Sequence, residues 1–452
     1  MKSTKIAVVG AGSRVFGPAI VRDILLSSHL AELEVELVLM DKVAAHLDEI
    51  EAYTTTVRET LGRTTNVSST SELEPALDGA DFVITAIEVD RYLYWSQDFH
   101  VPRKYGFRQV YGENGGPGGL FHALRNMGPM IEIARATERL CPDALLLNFT
   151  NPLHKICEAL TRLTSVRTVG LCHGVFGALQ QLSMILDVPV EDLDAAACGI
   201  NHFTWFQRIR HRRTGKDLYP RLREAEREGA WLSRWDELAL GRILFRRFGL
   251  WPSPGTNHYG EYIRWADEFW ISNMEFFYDP ADGHPWRNGT VPEFVYSLGG
   301  QHSRSPSAAP WVSSKQMPPK LEEHELKPSG ELAVPIIESL ACGVPSQLDA
   351  VNVPNHGAIP NLPDATVVEV PATGDSAGVH NCQMDPLPEA VAALLRVQAS
   401  IHQLLVEAFA ERSKDKLLQA VLLEPTVDSY RRAVEFVEEM LQLQSNLLPQ
   451  FT

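Results

Sequence analysis

The sequence predicts an α/β protein in two parts: a doubly wound parallel sheet over residues 1–195 and an α+β domain over residues 196–452. Three observations predict it. Apolar runs of strand length alternate with helix-spaced segments through the N-terminal third. A glycine turn, Gly10-Ala11-Gly12, directly follows the first run. Past about Leu193 the alternation stops, and strand-like segments precede a long amphipathic stretch. Strands that alternate with helices form parallel sheets, because each crossover helix returns the chain to the same edge.

Each element follows from its residues. Lys5 to Val9 is a continuous apolar strand, and Val15 to Leu26 has helical spacing. Val35 to Met40 is a second buried strand that ends at Asp41, and His46 to Leu61 reads as a helix. Ala80 to Ile87 is the next strand, with Asp78-Gly79 as its turn. Pro129 to Leu140 is helical. Ala144 to Phe149 and Thr168 to Leu171 are strands that end in Asn148-Phe-Thr-Asn151-Pro152 and Cys172-His173-Gly174. In the second part, Ala195 to Arg210 suggests strands and Trp231 to Phe248 a helix. Pro252 to Gly260 reads as irregular, and Ser- and Pro-rich residues 303–330 as a mobile arm. Val351 to Val353 and Thr366 to Val370 are strands of a mixed sheet, and Leu387 to Leu447 is mostly helix.

Composition removes several functions. The chain has 452 residues, 41 Lys+Arg and 57 Asp+Glu, for a net charge of −16. Nothing global draws such a chain to nucleic acid or to an anionic membrane. No apolar run reaches the roughly 18–20 residues of a membrane helix. The start does not read as a signal peptide, because its apolar run is short and leads into a glycine turn. Six cysteines in a chain this long give no disulfide framework, so reduced thiols and a cytoplasmic location are expected.

The first βα turn is where an open α/β sheet binds a pyrophosphate. Glycines admit the backbone, and the helix N-terminus offers free N–H groups. Gly10, Gly12, Ser13 and Arg14 form this turn, but the third glycine of G-x-G-x-x-G is replaced by Val15, and the next glycine is Gly17. Asp41 ends the second strand, where an acid accepts ribose hydroxyls and repels a 2′-phosphate. NAD is therefore expected over NADP.

Four polar clusters fall at strand ends or in loops: Tyr111 to Gly119, Asn148 to Pro152, Leu171 to Gly174, and Gly199 to Phe203. Cys172 ends a strand, and His202 precedes an aromatic run. Their spacing matches no standard zinc motif. The residues alone leave two readings open: a metal ligand pair, or a buried thiol beside a hydrogen-bonded histidine.

At this point the chain resembles glycoside hydrolase family 4, the NAD- and metal-dependent glycosidases, along nearly its full length. The resemblance rests on KIAVVGAGSRVF (5–16), on 98–127 with its YGENGGPGG core, and on CPDALLLNFTNPL (141–153). VGLCHG (169–174), CGINHFTWF (198–206) and VNVPNHGAIPNLPDATVVEVPA (351–372) continue it. It is closest to the α-galactosidase, α-glucosidase and α-galacturonidase branch.

The resemblance implies a Rossmann domain followed by a substrate domain like that of lactate and malate dehydrogenases. It implies Cys172 and His202 as ligands of a divalent metal, usually manganese. Asn151 would bind sugar hydroxyls, with Glu113, Asn114 and Arg125 also facing substrate. Thr85, Glu88 and Asn148 would border the cofactor. Some members carry an acidic Asp where this chain has His173. The base, often a tyrosine, lies in a loop that aligns with Gly255 to Tyr262, giving His258 and Tyr259 as base candidates and Glu261 as a metal-proximal or hydroxyl-binding residue. The implied reaction is oxidation at C3 by NAD, loss of the C2 proton, elimination of the aglycone and addition of water. The implied substrate is an α-glycoside of an unphosphorylated hexose or uronic acid, and the implied assembly a homodimer or homotetramer. Two other readings stay open: an NAD-dependent dehydrogenase of the lactate/malate type, and a non-enzymatic NAD-binding regulator.

Overall fold

The structure, a computed structural model, describes residues 3–228, 238–269, 274–277, 281, 283–288, 293–298, 301–305, 324 and 326–452. Six strands open the chain: β1 (Ser3–Val9), β2 (Glu34–Met40), β3 (Asn66–Thr70), β4 (Phe82–Thr85), β5 (Leu145–Asn148) and β6 (Arg167–Gly170). They pair in parallel in the order β3-β2-β1-β4-β5-β6. Alternate residues of β1 enter opposite cores. Ile6 and Val8 pack on one face, and Ala7 and Val9 on the other. A strand buried on both faces has no polar side, which is why these segments read as unbroken apolar runs.

The later strands are β7 (Leu193–Ile200), β8 (Phe203–His211), β9 (Trp251–Ser253), β10 (Met274–Phe277), β11 (Glu293–Leu298) and β12 (Gln301–Ser305), then β13 (Ser346–Pro354), β14 (Val367–Asp375) and β15 (Gly378–Asn381). The sheet does not stop at the end of the parallel half. It continues from β6 through β13, β14, β7 and β8 to β9, all antiparallel, with β15 on β14. β10, β11 and β12 form a separate antiparallel sheet. The C-terminal helices Glu389–Glu411, Lys414–Leu423 and Tyr430–Leu443 return to the parallel half. Val406, Val421 and Phe436 share a core with Ala7 and Val9.

Several elements depart from the sequence reading. The helix expected from Pro129 begins at Gly116 and runs to Leu140. The glycine run is therefore its first turn and not a loop. Its glycines admit protein. A Cβ on Gly118 would stand 2.1 Å from the Asp98 carbonyl oxygen, and one on Gly115 would stand 2.7 Å from Glu261 Cβ. Pro252 to Gly260 is not irregular throughout, since β9 and the short helix Thr256–Tyr259 lie there. The helix expected from Trp231 is described only as Ala239–Phe248, and residues 231–237 lie outside the described residues. Of the expected arm, Ser303 to Ser305 belong to β12, and residues 306–323 and 325 lie outside the described residues. Among the described residues, no helix is long and apolar enough to cross a membrane.

Two helical glycines test the packing claim. Gly118→Ala should destabilise the fold by about 1–3 kcal/mol, because its new methyl meets backbone. Gly177→Ala, on an exposed helix position with open space around it, should stabilise by about 0.5–1 kcal/mol. Denaturant midpoints of the two variants check the opposite signs.

Candidate active site

The glycine turn is built for close approach. Gly10 has φ +83°, and a Cβ there would stand 2.5 Å from the Ala86 carbonyl oxygen. A Cβ on Gly17 would stand 2.0 Å from the Ala11 carbonyl oxygen. Gly17 thus performs the helix-to-strand packing that the third glycine of the usual motif performs. Ser13 Oγ accepts the Phe16 amide, and Arg14 pairs with Glu49 on the surface. One Asp41 oxygen accepts the Gly12 amide at 3.0 Å and the other accepts the Val43 amide at 2.9 Å. The acid that ends β2 therefore also fastens the turn.

Thr85 and Asn148 end adjacent strands and bind each other, with Thr85 Oγ1 donating to Asn148 Oδ1 at 2.9 Å. Glu88 sits in a charged network. Its carboxylate meets Arg91 and His122, and Asn126 Nδ2 donates to it at 3.0 Å. Burial works against ionising Glu88, but His122 and then Arg91 outweigh it and hold its carboxyl well below the usual range. Arg91 also pairs with Glu113. Both acids are committed to protein partners in this geometry.

Cys172 lies just beyond β6, and His202 lies in the turn between β7 and β8. Cys172 Sγ is 3.3 Å from His202 Nε2. His202 has φ +64°, a left-handed conformation that costs a non-glycine residue about 1–3 kcal/mol. The hairpin holds that strain and aims the ring at the thiol. Burial pushes the Cys172 thiol up to about 12 and His202 well below its usual value. A neutral imidazole and a thiol that lacks a countercharge are what a divalent cation completes. His202 Nδ1 and Asn201 Oδ1 are buried without a described partner. Among the described residues no three His, Cys, Asp or Glu side chains converge. The pair therefore offers two protein donors and leaves the remaining positions to other ligands.

The loop after β9 faces this pair. The His258 ring centre is 4.1 Å from that of His202, and His258 Nδ1 has no described partner. Tyr259 does not face the pair. It is buried, with its hydroxyl against the backbone of Gly241, where a Cβ would stand 2.5 Å away. Tyr262 is the tyrosine at the site. It stacks on Phe203, its hydroxyl is buried without a described partner, and the Cys172 charge acts on it. The sequence signal for Tyr262 was the H-x-x-E-Y pattern of His258, Glu261 and Tyr262.

Glu261 departs from its expected role as a metal or hydroxyl group. Its oxygens accept the Glu113 amide at 2.8 Å and the Asn114 amide at 3.0 Å. Burial and then Glu113 push its carboxyl up to about 8. Arg125 departs as well. It is 2% exposed and donates to Asp98 at 2.9 Å and to Gln444 at 3.1 Å, so it is committed to the core and not to substrate. His173 is half-exposed and paired with Glu331 at 3.0 Å, a contact that raises its pKa. Asn151 is partly exposed and uses Oδ1 on the Leu153 amide. The Asn114 side chain is fully buried, and among the described residues neither Oδ1 nor Nδ2 has a partner.

Residues 5–188 match the model for "Family 4 glycosyl hydrolase", and residues 197–427 match that for "Family 4 glycosyl hydrolase C-terminal domain". An α-glucosidase of Erwinia rhapontici is 33% identical over 98% of both chains. An α-galactosidase of Bacillus subtilis is 29% identical over 99% of both. Among solved structures, a 6-phospho-α-glucosidase from gut microorganisms, in complex with NAD and Mn²⁺, superposes with a TM-score of 0.75 at 22% identity, covering 100% of both chains. A malate dehydrogenase from Plasmodium falciparum shares the fold at a TM-score of 0.51 and 13% identity, covering 92% of this chain and 99% of that one.

Arg125→Leu should cost about 3–5 kcal/mol by leaving Asp98 buried without its cation. Burial already raises the Asp98 carboxyl above its usual value. An acid with a raised folded pKa loses stability as the pH climbs from about 4. The loss in Arg125→Leu should therefore be larger at pH 7 than at pH 5, and equal denaturation midpoints at both would contradict it.

Proposed function

Because the chain belongs to family 4 of the glycosyl hydrolases, we propose that it hydrolyses α-glycosides of an unphosphorylated hexose or uronic acid, with NAD and manganese as cofactors. The observation that carries this reading is the contact of Cys172 with His202 on the same continuous sheet as the Gly10–Gly12 turn. The α-glycosidase names of the relatives support the anomer.

NAD, held by the Gly10–Gly12 turn and Asp41, would supply reversible hydride chemistry at the sugar, and a divalent cation, held by Cys172 and His202, would supply Lewis-acid charge there. The chain's own residues do the rest. Asn151 and Asn114 hydrogen-bond and orient the hydroxyls. Oxidation at C3 makes the C2 proton acidic, and Tyr262 would take it as the phenolate, its own proton having first passed to water under the charge of the bound cation. Tyr262 replaces Tyr259 in this role because, among the described residues, its buried hydroxyl has no partner, whereas the Tyr259 hydroxyl lies against Gly241. Burial drives the Tyr262 phenol up, and the Lys155 ammonium, 6.0 Å from the ring centre, is a nearby charge that opposes this. The aglycone then leaves C1, and water adds in its place.

Charge layout favours a sugar without phosphate. Arg91 is committed to Glu88 and Glu113, Arg125 to Asp98, and Lys155 to the Asn114 carbonyl. A phosphate would need guanidinium or ammonium donors that these carboxylates already hold.

Nitrophenyl α-glycosides, α-galacturonides and their 6-phospho forms, offered with NAD, Mn²⁺ and reductant, test the reading. Aglycone release from an unphosphorylated donor without net NADH supports it. Steady NADH accumulation without aglycone release points to the dehydrogenase instead. Cys172→Ser should weaken Mn²⁺ binding by about 10-fold or more, read by electron paramagnetic resonance of the free ion, because a hydroxyl does not replace a thiolate ligand. In D₂O the wild type should exchange the C2 proton, and Tyr262→Phe should lose that exchange by about 10²–10⁴-fold. If His258→Ala loses it and Tyr262→Phe keeps it, His258 is the base.

A further inference from the structure

Lys155 is a fully buried ammonium in the first turn of the helix Leu153–Leu163, four residues after Asn151. A buried ammonium persists only when it is paired and hydrogen-bonded. Nζ donates to the Asn114 carbonyl, and the carboxylates that act on it are Glu424 and Glu261. Glu424 is 1% exposed. Neither of its oxygens completes a hydrogen bond to a described residue, although the Gln398 side chain and the Gly116 amide stand beside it.

The Asn114 peptide is thus gripped from both directions. Lys155 holds its carbonyl, and Glu261 holds its amide. Two glycines that follow Asn114 allow this, since a Cβ on Gly115 would meet Glu261 and one on Gly119 would stand 2.8 Å from the Asn114 carbonyl carbon. Both backbone groups are satisfied, yet the buried side-chain amide has no described partner on either atom. Buried polar groups are seldom left so, and a free amide donor beside a free amide acceptor matches neighbouring hydroxyls of a sugar.

We propose that Lys155 is a positioning residue that fixes the Asn114 peptide so that the Asn114 carboxamide meets the hydroxyls of the substrate sugar. This rests on the glycosidase reading and adds to it a support that lies behind the sugar. Lys155 is placed to act on sugar binding through Asn114, while its charge near the Tyr262 ring, 6.0 Å away, would be read separately in kcat.

The test uses the full chain with NAD and Mn²⁺ and the nitrophenyl glycoside that the wild type turns over. Sugar affinity is read independently by calorimetry. Lys155→Met should raise KM and the sugar Kd by about tenfold with a smaller fall in kcat, as for a lost hydrogen bond of uniform binding. Asn114→Ala should do the same, and adding Lys155→Met to it should change KM by less than about twofold. Lys155→Met/Glu424→Gln removes the uncompensated carboxylate and should recover the melting temperature but not KM. Additive effects in the Asn114→Ala background overturn the proposal. So does recovery of KM together with stability, or failure of the compensated variant to fold, since either makes the pair structural only. A wild type that binds sugar without cleaving it sinks the glycosidase reading while the affinities still judge Lys155. A wild type that binds no sugar sinks both.

Discussion

The Glu369 carboxylate is the interaction on which the site depends. β6 and β7, the strands that lead to Cys172 and His202, are not neighbours, because β13 and β14 lie between them. Pairing across that junction thins to single bridges, Asn352 with Gly170 and Glu369 with Gly199. Glu369 Oε1 accepts the side-chain amides of both Asn201 and Asn352 at 3.0 Å. One buried acid thus ties the turn that carries His202 to the strand beside β6. Burial pushes that carboxyl up to about 7, and the two amide donors oppose the shift. With the junction fixed, the left-handed His202 has one direction in which to aim its ring. The Cys172 contact follows from the seam, since the two residues are 30 positions apart in the sequence.

Around that seam the protein buries far more charge than a core usually holds, and it does so in closed groups. Arg125 neutralises Asp98, and Arg91 serves Glu88 and Glu113. Burial lowers Lys155 and raises Glu424, and each charge opposes the other's shift. An isolated ion in such a place would be intolerable, whereas these pairs share the desolvation cost. The consequence for recognition is selective. Among the described residues, the buried groups without a hydrogen-bond partner include the Glu424 oxygens and several neutral ones: the Asn114 amide, the Asn201 carbonyl oxygen, the His258 nitrogen and the Tyr262 hydroxyl. Such a surface suits hydroxyls better than anions.

What could be read from the sequence follows the same physics. β1, β2 and β5 were legible because strands buried on both faces carry consecutive apolar residues, Ile6 to Val9, Leu37 to Met40 and Leu145 to Leu147. β3 was not, because Asn66 to Thr70 sit on the sheet edge and are polar and partly exposed. The helix Arg91–Lys104 hid behind an apolar pattern without a clear face and an internal Pro102. The glycine run misled because glycine signals both a loop and close packing, and only the Asp98 carbonyl and Glu261 decide between them. The Cys172 and His202 pair was legible through the family resemblance, and the glycine turn through its place after β1. Arg125, Glu261, Tyr259 and Lys155 were not, because their roles are set by partners between 18 and 319 positions away in the chain, such as Gly241 for Tyr259 and Gln444 for Arg125.

If Cys172 and His202 hold the cation as proposed, they would make a poor cage for a hard ion, and that weakness would have a use. A thiolate and an imidazole bind manganese less well than oxygen ligands would. The thiol must also give up a proton from a pKa pushed to about 12 by burial. Each sugar oxygen that joined such a cation would supply a harder ligand than the thiolate. Binding of cation and binding of sugar would then strengthen each other by the same factor, since linkage is reciprocal. A site completed by its substrate would hold its charge beside the sugar. The buried pairs around it keep other charges from competing for that place.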